Sequence, residues 1–214
     1  MRMKIKYLRL FRQLVLAVSI GGATGTIYAG LIKLAESGDV EPNGTNTFFE
    51  NGQTPVLSDN GKVAFYTDLR DNGFLQGGGL FLADGQTIRT LARAGQPSPD
   101  LNGNFYTFNS QVGLNSTNQV FEAGLNGTLG GGTDNTGLYE LNAGGLTLLA
   151  RAGQTIPGGG PTFRSFSGVA VRINRKGQAA FRAATSTKPA VMCRVSDGVL
   201  TQLACQQPPA KPVA

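Results

Sequence analysis

The hexapeptide LARAGQ stands at residues 91–96 and again, unchanged, at 149–154. Two altered copies, LAESGD and LACQQP, begin at Leu34 and Leu203. The four starting positions are therefore 57, 58 and 54 residues apart. Near-constant spacing of this length is typical of tandem structural repeats. The sequence predicts three units, at about 34–90, 91–148 and 149–203.

Each unit carries the same landmarks in the same order. A phenylalanine-rich segment comes first, then a turn followed by an apolar strand, then a short strand, and last the strand that ends in the hexapeptide. The turn strands read LSDNGKVAFYTDL, LNSTNQVFEAGL and INRKGQAAFRAAT. Gly61, Asn118 and Gly177 occupy one equivalent turn position, and glycine and asparagine adopt a left-handed backbone most easily. We expect four antiparallel strands per unit.

The pattern along the chain predicts an all-β fold. KVAFYTDL and TIRTLAR alternate apolar and polar residues, and no stretch after residue 30 has helical periodicity. Units of four short strands are typical of β-propeller blades or of another stacked-sheet repeat array. Propellers typically have four or more blades. Three units therefore fit an open or prism-like array, a tighter packing of three sheets, or half a ring closed by a second chain.

The N-terminal stretch resembles a secretory signal. Five basic residues precede an apolar run at 14–20, and small residues follow. We predict a signal peptide at 1–29, a repeat domain at 30–206 and a flexible tail at 207–214. An uncleaved anchor is the alternative, but glycines at 21–25 interrupt the apolar run and favour cleavage. The protein is then secreted, periplasmic or on the cell surface, and contacts a membrane only through the signal segment.

The distribution of charge argues against nucleic acid as a partner. Without the five basic residues of the leader, 14 basic residues face 13 acidic ones, so the basic excess that nucleic-acid binding requires is missing. The remaining charge is uneven: residues 30–150 hold five basic and 12 acidic side chains, and residues 151–214 hold nine and one. This asymmetry either belongs to solvated faces or steers association.

Two oligomeric states are consistent with three units. Unsealed sheet edges and opposite charges could join copies head to tail, whereas the strand in LIKLAESGD could seal the monomer. The monomer is slightly favoured, because natural sheets usually protect their edges.

The sequence assigns no catalytic residue, metal site or cofactor. Histidine is absent, which removes the commonest general base and zinc ligand. Asp68 and Asp71 in TDLRDNG are the best acidic pair for glycoside hydrolysis or calcium. Their spacing does not fit an EF-hand loop, and Arg70 between them favours a solvated turn. The runs QGGGLF, LGGGTDN and PGGGPTF lack the lysine of a phosphate-binding loop and are interpreted as flexible loops.

The arginines of the repeated hexapeptide, Arg93 and Arg151, are either ligand-binding cations or structural donors to loop carbonyls. A residue present once per repeat usually serves the repeat, so the structural role is favoured. The same argument predicts core positions for Leu91 and Leu149 and chain turns at Gly95 and Gly153.

Export would permit a disulfide between Cys193 and Cys205. They flank VSDGVL, in which Asp197 and Gly198 resemble a two-residue hairpin turn. In that register residue 193 faces residue 202, which places residue 205 on the opposite face of the sheet. The sequence predicts no bridge, unless a bulge restores the parity. Asn43, Asn115 and Asn126 match glycosylation sequons, a signal that has little value if the source is bacterial.

LSDNGKVAF and INRKGQAAF, each followed by its hexapeptide strand, resemble the tandem NxxGxVAF repeats of secreted bacterial proteins with interchangeable C-terminal anchors. The resemblance covers residues 30–206. Ser58 replaces the first asparagine, Asn118 replaces the glycine and Ala179 replaces the valine. The ending QQPPAKPVA lacks the apolar anchor of many members. The resemblance implies an extracellular β-repeat domain without an assigned activity.

Two functions remain open. The repeated scaffold and the missing catalytic chemistry favour an exported binding or structural module whose loops contact an extracellular protein or glycan. The alternative is a carbohydrate-active enzyme that uses carboxylates. Convergence of two carboxylates in one cleft would distinguish the enzyme from the binding module.

Overall fold

The computed structural model describes residues 15–17, 31–42, 44, 47–85, 87–109, 111–166, 171–187 and 190–205. Within these ranges the chain forms strands and turns and no helix, which confirms the all-β prediction. The described residues form three antiparallel sheets of five strands, one per repeat, and a separate pair of short strands. The predicted cleavage after Ala29 and the predicted tail at 207–214 lie outside the described residues.

The strands follow the three repeats in chain order. The separate pair is β1 (Val15–Ala17) and β2 (Leu31–Lys33). Sheet 1 contains β3 (Phe48–Glu50), β4 (Val56–Leu57), β5 (Val63–Asp71), β6 (Phe74–Asp84) and β7 (Thr87–Arg93). Sheet 2 contains β8 (Asn104–Phe108), β9 (Gly113–Leu114), β10 (Gln119–Asn126), β11 (Thr136–Asn142) and β12 (Gly145–Arg151). Sheet 3 contains β13 (Phe163–Ser165), β14 (Arg172–Ile173), β15 (Ala179–Thr185), β16 (Val191–Ser196) and β17 (Val199–Cys205).

Each sheet has one more strand than the sequence predicts, because the first edge strand is interrupted. In sheet 1, Phe49 lies opposite Leu69 and Val56 lies opposite Ala64, so β3 and β4 share one edge of β5. The same arrangement recurs with β8 and β9 on β10, and with β13 and β14 on β15. The other three strands form the predicted meander, and β7, β12 and β17 are the opposite edges.

The sheets stack because sheets 1 and 2 are largely apolar on both faces and sheet 3 is apolar on the face that meets sheet 2. We call the face with the phenylalanine row the leading face, which in sheet 1 carries Phe49, Phe65 and Phe81. The trailing face is the opposite one and carries mostly aliphatic residues. The trailing face of sheet 1 packs on the leading face of sheet 2, and the trailing face of sheet 2 packs on the leading face of sheet 3. This is a stacked-sheet repeat array.

The aromatic row of each leading face is the centre of a core cluster. In sheet 2 the ring centroids of Phe105 and Tyr139 are 5.0 Å apart at nearly a right angle, and Phe121 stacks on Tyr139 at 5.8 Å. These distances are typical of favourable aromatic pairs. The aromatic row of sheet 1 packs against Leu34 and Ala35, which belong to the first altered hexapeptide.

The repeated hexapeptide encodes a β-bulge. Leu80 pairs with Ala92 and Phe81 pairs with Thr90, so Leu91 is the extra residue on β7. Leu149 and Leu203 hold the same position on β12 and β17. Leu91 is buried in the core between sheets 1 and 2, and Leu149 packs on the core between sheets 2 and 3. The predicted core positions are confirmed.

The hexapeptide also joins each sheet to the next. The Gly95 N–H donates to Phe105 O (2.7 Å), and the Phe105 N–H donates to Gln96 O (2.8 Å). Gly153 and Gln154 bind Phe163 in the same way, at 2.7 and 2.9 Å. Gly95 and Gly153 have φ of +88° and +84°, a conformation that costs other residues energy. LARAGQ occurs twice because the same junction joins sheet 1 to sheet 2 and sheet 2 to sheet 3.

The leading junction of sheet 1 has the same geometry despite its altered sequence. The Gly38 N–H donates to Phe49 O, and the Phe49 N–H donates to Asp39 O, both at 3.0 Å. Asp39 Oδ2 accepts the Glu36 N–H at 2.9 Å, just as Gln96 Oε1 accepts the Arg93 N–H. The aspartate therefore replaces the glutamine as side-chain acceptor.

The bulge at Leu203 changes the cysteine register. Cys193 faces Gln202 as predicted, but Cys205 pairs with Val191. Without the extra residue in β17, Cys205 would lie opposite residue 190 and not opposite Val191. The parity predicted for an unbroken strand is therefore wrong, and the bulge named as the alternative is present. Cys193 is buried in the core of sheet 3, and the side chain of Cys205 lies outside the described residues.

Candidate functional site

Arg151 is a buried structural donor at the end of sheet 2. Its Nη1 donates to the carbonyls of Asn102 (2.9 Å) and Asp134 (3.2 Å). Its Nη2 donates to Asp100 Oδ1 at 2.7 Å, and 8% of its side chain is exposed. The guanidinium thus joins the loop before β8 to the loop between β10 and β11. This is the role that the sequence predicts for it, and its donors are directed into the fold.

Arg93 has a different partner at the equivalent position. Its Nη2 lies 3.1 Å from Glu41 Oε1, and the side chain of Glu41 is fully buried. The same nitrogen is 3.3 Å from Thr47 Oγ1. Neither oxygen of the Glu41 carboxylate is aligned for a hydrogen bond, so its main stabilisation is the ion pair. Burial raises the pKa of Glu41, and the charge of Arg93 opposes that shift.

The third repeat lacks both members of this pair. Glu41, Ser98 and Ile156 stand at equivalent positions, two residues after the hexapeptide, and each is 1% exposed. In the first two repeats the partner is Arg93 or Arg151, and in the third the matching position holds Cys205. A buried polar group requires a partner, whereas an apolar one does not. In the third repeat, therefore, apolar Ile156 replaces the buried polar residue, and Cys205 replaces its arginine partner.

Asp68 and Asp71 do not converge. Both lie on β5, three residues apart, so they project to opposite faces of an extended strand. Asp68 accepts hydrogen bonds from Tyr66 Oη (2.8 Å) and Asn51 Nδ2 (3.2 Å). Asp71 faces Phe74 across the turn Asn72–Gly73. Burial and the neighbouring carboxylate raise the pKa of Tyr66 well above its ordinary value. These carboxylates belong to a hairpin and form no shared cleft.

The other sequence motifs are placed as follows. QGGGLF is part of β6, so it is a strand and not a loop, and Gly78 and Gly79 pass close to the rings of Tyr66 and Phe81. The other two glycine runs lie in turns. Asn115 is buried and donates to Asn174 O, Asn126 ends β10, and Asn43 lies outside the described residues. No group of three metal-ligating side chains occurs within the described ranges. The same residues contain no helix that is long and apolar enough to cross a membrane.

One end of the array carries exposed apolar side chains on loops. We call it the loop end; it contains the β5–β6 hairpin, the segments after the hexapeptides, and the loop between β10 and β11. Phe74, Leu101 and Leu129 are 74%, 82% and 92% exposed there. The Leu129 N–H donates to Asn102 Oδ1 at 2.8 Å, so the loops of Leu101 and Leu129 are in contact. The opposite end contains the tight turns.

These loop residues could have been recognised in the sequence. DNGFLQGG, PDLNGN and GTLGGG each place a large apolar residue among turn-forming ones. Such a residue cannot reach a core from a short exposed turn. The repeat landmarks define the scaffold and say nothing about these non-repeating residues.

A groove lies where the three repeats meet. Equivalent segments at 55–57, 112–114 and 171–173 line a groove of about 350 Å³. Arg172 is the one charged residue of this lining. The turns that follow are joined across repeats, with Asn115 Nδ2 donating to Asn174 O at 2.8 Å and Arg175 Nε pairing with Asp59 at 2.6 Å. The groove results from packing three copies of one segment around a common centre.

The comparisons with known proteins place the chain in a family without assigning it an activity. Residues 22–204 match DUF7453, which is described as a family of unknown function. No curated protein and no solved structure shows a significant match. The match covers well over half of the chain and includes the described sheets of all three repeats. The chain therefore belongs to DUF7453, a family of unknown function.

Proposed function

We propose that the protein is an exported, non-catalytic binding or structural module that contacts an extracellular, cell-surface or polymeric partner through its loop end. The observation that carries the proposal is the exposure of Phe74, Leu101 and Leu129 on non-repeating loops of one end. Groups of exposed apolar side chains with polar neighbours are typical of interaction sites. The export itself rests on the leader at 1–29 and on the resemblance to secreted NxxGxVAF repeat proteins.

Repeated residues and variable loops have different roles in this scaffold. The residues that recur in every repeat form bulges, junctions and aromatic rows, and are therefore used in folding. The described part of the loop end contains segments that differ between repeats: a long hairpin in the first and a nine-residue connection at 127–135 in the second. Variable loops on a rigid repeat scaffold are typical of binding proteins.

The loops themselves are held in place, which favours recognition. Asp134 accepts from Asn102 Nδ2 (2.8 Å) and from the Gly130 N–H (3.2 Å). The buried Arg151 donates to the carbonyls of the same two segments from the protein interior. A surface that is ordered before binding loses less conformational entropy when a partner docks.

The test compares two pairs of exposed apolar residues. Leu101→Ser with Leu129→Ser removes apolar area from the loop end, and Leu57→Ser with Val199→Ser removes it from the turn end. All four residues are more than half exposed, so each double variant should fold. Binding is measured against a glycan array and a panel of purified extracellular matrix proteins and polymers. We expect at least one ligand of the native protein to lose about tenfold or more in affinity with the first variant only.

Two results would contradict the proposal. One is that the native protein binds nothing in either panel, or that both double variants bind as the native protein does. The other is reproducible cleavage of a polymer that is lost on Asp68→Asn or Asp71→Asn, which would establish the carboxylate enzyme instead.

A further inference from the structure

The trailing face of sheet 3 is uncovered, although the same face is buried in the other two sheets. Leu80 and Leu138 are 0% exposed, whereas the equivalent Met192 is 42% exposed. Ala92 and Ala150 are likewise buried, and Ala204 is exposed. The array ends here among the described residues, since no further sheet follows. The trailing face of sheet 3 is therefore a flat platform of the size that accommodates a neighbouring sheet.

Arginines replace the residues that would suit another sheet. Arg182 stands where sheet 2 has Glu122, and Arg194 stands where sheet 1 has Leu82 and sheet 2 has Glu140. Both arginines are exposed, as is Arg164 on the neighbouring β13. No carboxylate of the described residues forms an ion pair with any of the three. The arginine side chains are longer than those of the residues around them, which are Ala180, Ala184, Met192 and Ala204.

The strand register sets the three arginines in one diagonal row. Arg182 pairs with Met192, and Arg194 is two residues further along β16. On the other side of β15, Ser165 pairs with Ala184, so the bulge residue Arg164 lies about two residues beyond Arg182 in the opposite direction. From strand spacing and rise, successive arginines are about 8–10 Å apart. The row crosses β13, β15 and β16.

We propose that this row binds a linear acidic polysaccharide that lies across the strands of sheet 3, with its carboxylates against Arg164, Arg182 and Arg194. Arginine is well suited to carboxylates, because its planar fork donates two parallel hydrogen bonds. The alanines between the arginines, Ala180, Ala184 and Ala204, leave room for an extended polymer to approach closely. The surface is separate from the loop end, and the inference does not rest on the proposed function.

Other occupants fit the face less well. Extended peptides usually bind along sheet edges through main-chain hydrogen bonds, whereas this row crosses the face. Single-stranded nucleic acid usually stacks on aromatic side chains, and the described residues of this face include none. A second copy would have to offer the leading face of sheet 1, whose Phe49, Phe65 and Phe81 already pack against Leu34 and Ala35.

The test measures binding of the full chain to polygalacturonate at about 20 mM salt, where surface electrostatics are weakly screened. Neutral dextran, polyglutamate and a thymidine oligonucleotide are the comparison probes. The test variant is Arg164→Ser, Arg182→Ser and Arg194→Ser together. The matched control is Lys33→Ser, Arg175→Ser and Lys176→Ser, which removes the same charge from exposed residues that do not lie on the trailing face of sheet 3.

We expect the native protein to bind polygalacturonate and not dextran. The test variant should lose about tenfold or more in affinity, and the control less than about threefold, because the row supplies the directed contacts. Arg182→Glu with Arg194→Glu should abolish binding and still fold, since sheet 2 carries glutamate at both positions. Thermal unfolding verifies the fold of each variant.

Several results would overturn the proposal. Absence of binding to polygalacturonate, or equal losses in the test and control variants, would show that no site exists in this row. Tighter binding of polyglutamate or of the oligonucleotide would assign the row to another class of polymer. Self-association that the test variant abolishes, in the absence of polysaccharide binding, would assign it to a second copy.

Discussion

Glu41 is the residue whose burial most needs explanation, and Arg93 supplies it. The carboxylate is fully buried and 3.1 Å from the guanidinium. We predict that Arg93→Ala lowers the free energy of unfolding by about 3–5 kcal/mol, because it leaves a buried charge without a counter-ion. Urea denaturation at neutral pH measures this. Arg89→Ala removes an exposed arginine of the same strand that donates to Gln119 Oε1 at 3.4 Å and has no ion pair among the described residues. It should change stability by about 0.5 kcal/mol or less.

The third repeat provides the compensating change. Glu41→Ile with Arg93→Cys copies Ile156 and Cys205, and replaces a buried ion pair by apolar groups. We predict that this double variant regains stability to within about 1 kcal/mol of the native protein, since such replacements are often neutral. A double variant as unstable as Arg93→Ala alone would mean that the charges are required for packing at this site.

The same carboxylate gives a pH-dependent prediction. Burial raises the pKa of Glu41 in the folded state, so the folded protein binds this proton more tightly than the unfolded chain. The contribution of Glu41 to stability is therefore complete below its unfolded pKa and decreases as pH rises through the folded pKa. The stability of the native protein minus that of Glu41→Gln should fall from pH 4 to pH 7. Denaturation at several pH values measures the difference, and a constant or rising difference contradicts the assignment.

At the scale of the element, the hexapeptide junction depends on a left-handed glycine. Gly95 has φ +88° and open space around its Cα hydrogen, so a substitution there is penalised by conformation alone. We predict that Gly95→Ala lowers the free energy of unfolding by about 1–2 kcal/mol and that Gly95→Asn lowers it less, because asparagine tolerates this region. Thermal or urea unfolding distinguishes the two variants.

Gly52 is the matched control for this junction. It also has open space around it, but its φ lies outside the left-handed region. Gly52→Ala should have little effect or stabilise slightly. If it destabilises as much as Gly95→Ala, the cost does not come from the backbone conformation.

At the scale of the whole molecule, stability depends on whether a neighbouring sheet covers a position. Leu138 and Met192 are equivalent in the repeat, yet Leu138 is buried between sheets 2 and 3 and Met192 is exposed on the last sheet. We predict that Leu138→Arg lowers the free energy of unfolding by more than about 4 kcal/mol or prevents folding, because it buries an unpaired charge. Met192→Arg should cost about 0.5 kcal/mol or less. Circular dichroism and urea denaturation of the two variants test the stacking directly, and equal effects would contradict it.

The arginines of sheet 3 also have a role in the whole molecule. The last unit of a repeat array needs a polar outer face to remain soluble. Arg182 and Arg194 provide charge on a face whose equivalents in sheets 1 and 2 are covered. The same feature discourages a further copy from docking on it and leaves a cationic row for an acidic ligand.

The sequence by itself determined the features that are local and repeated. The spacing of the hexapeptides predicts three units, and the alternation of apolar residues predicts strands. Turn residues such as Gly61 and Gly177, with φ of +83° and +80°, predict the reversals. A repeated arginine predicts a structural donor, which Arg151 is. These inferences succeed because turns and strand alternation depend on residues close together in the chain.

Only the tertiary structure decided what depends on neighbours distant in sequence. The interrupted edge strand and the bulge at Leu203 follow from register, which no single strand specifies. Ala64, Val120 and Ala180 stand at equivalent positions of the repeat, and the first two are buried because a following sheet covers them. Burial is a property of the assembled sheets and not of a residue type, so the grouping of the loop residues at one end and the arginine row on an uncovered face became visible only once the three sheets were stacked.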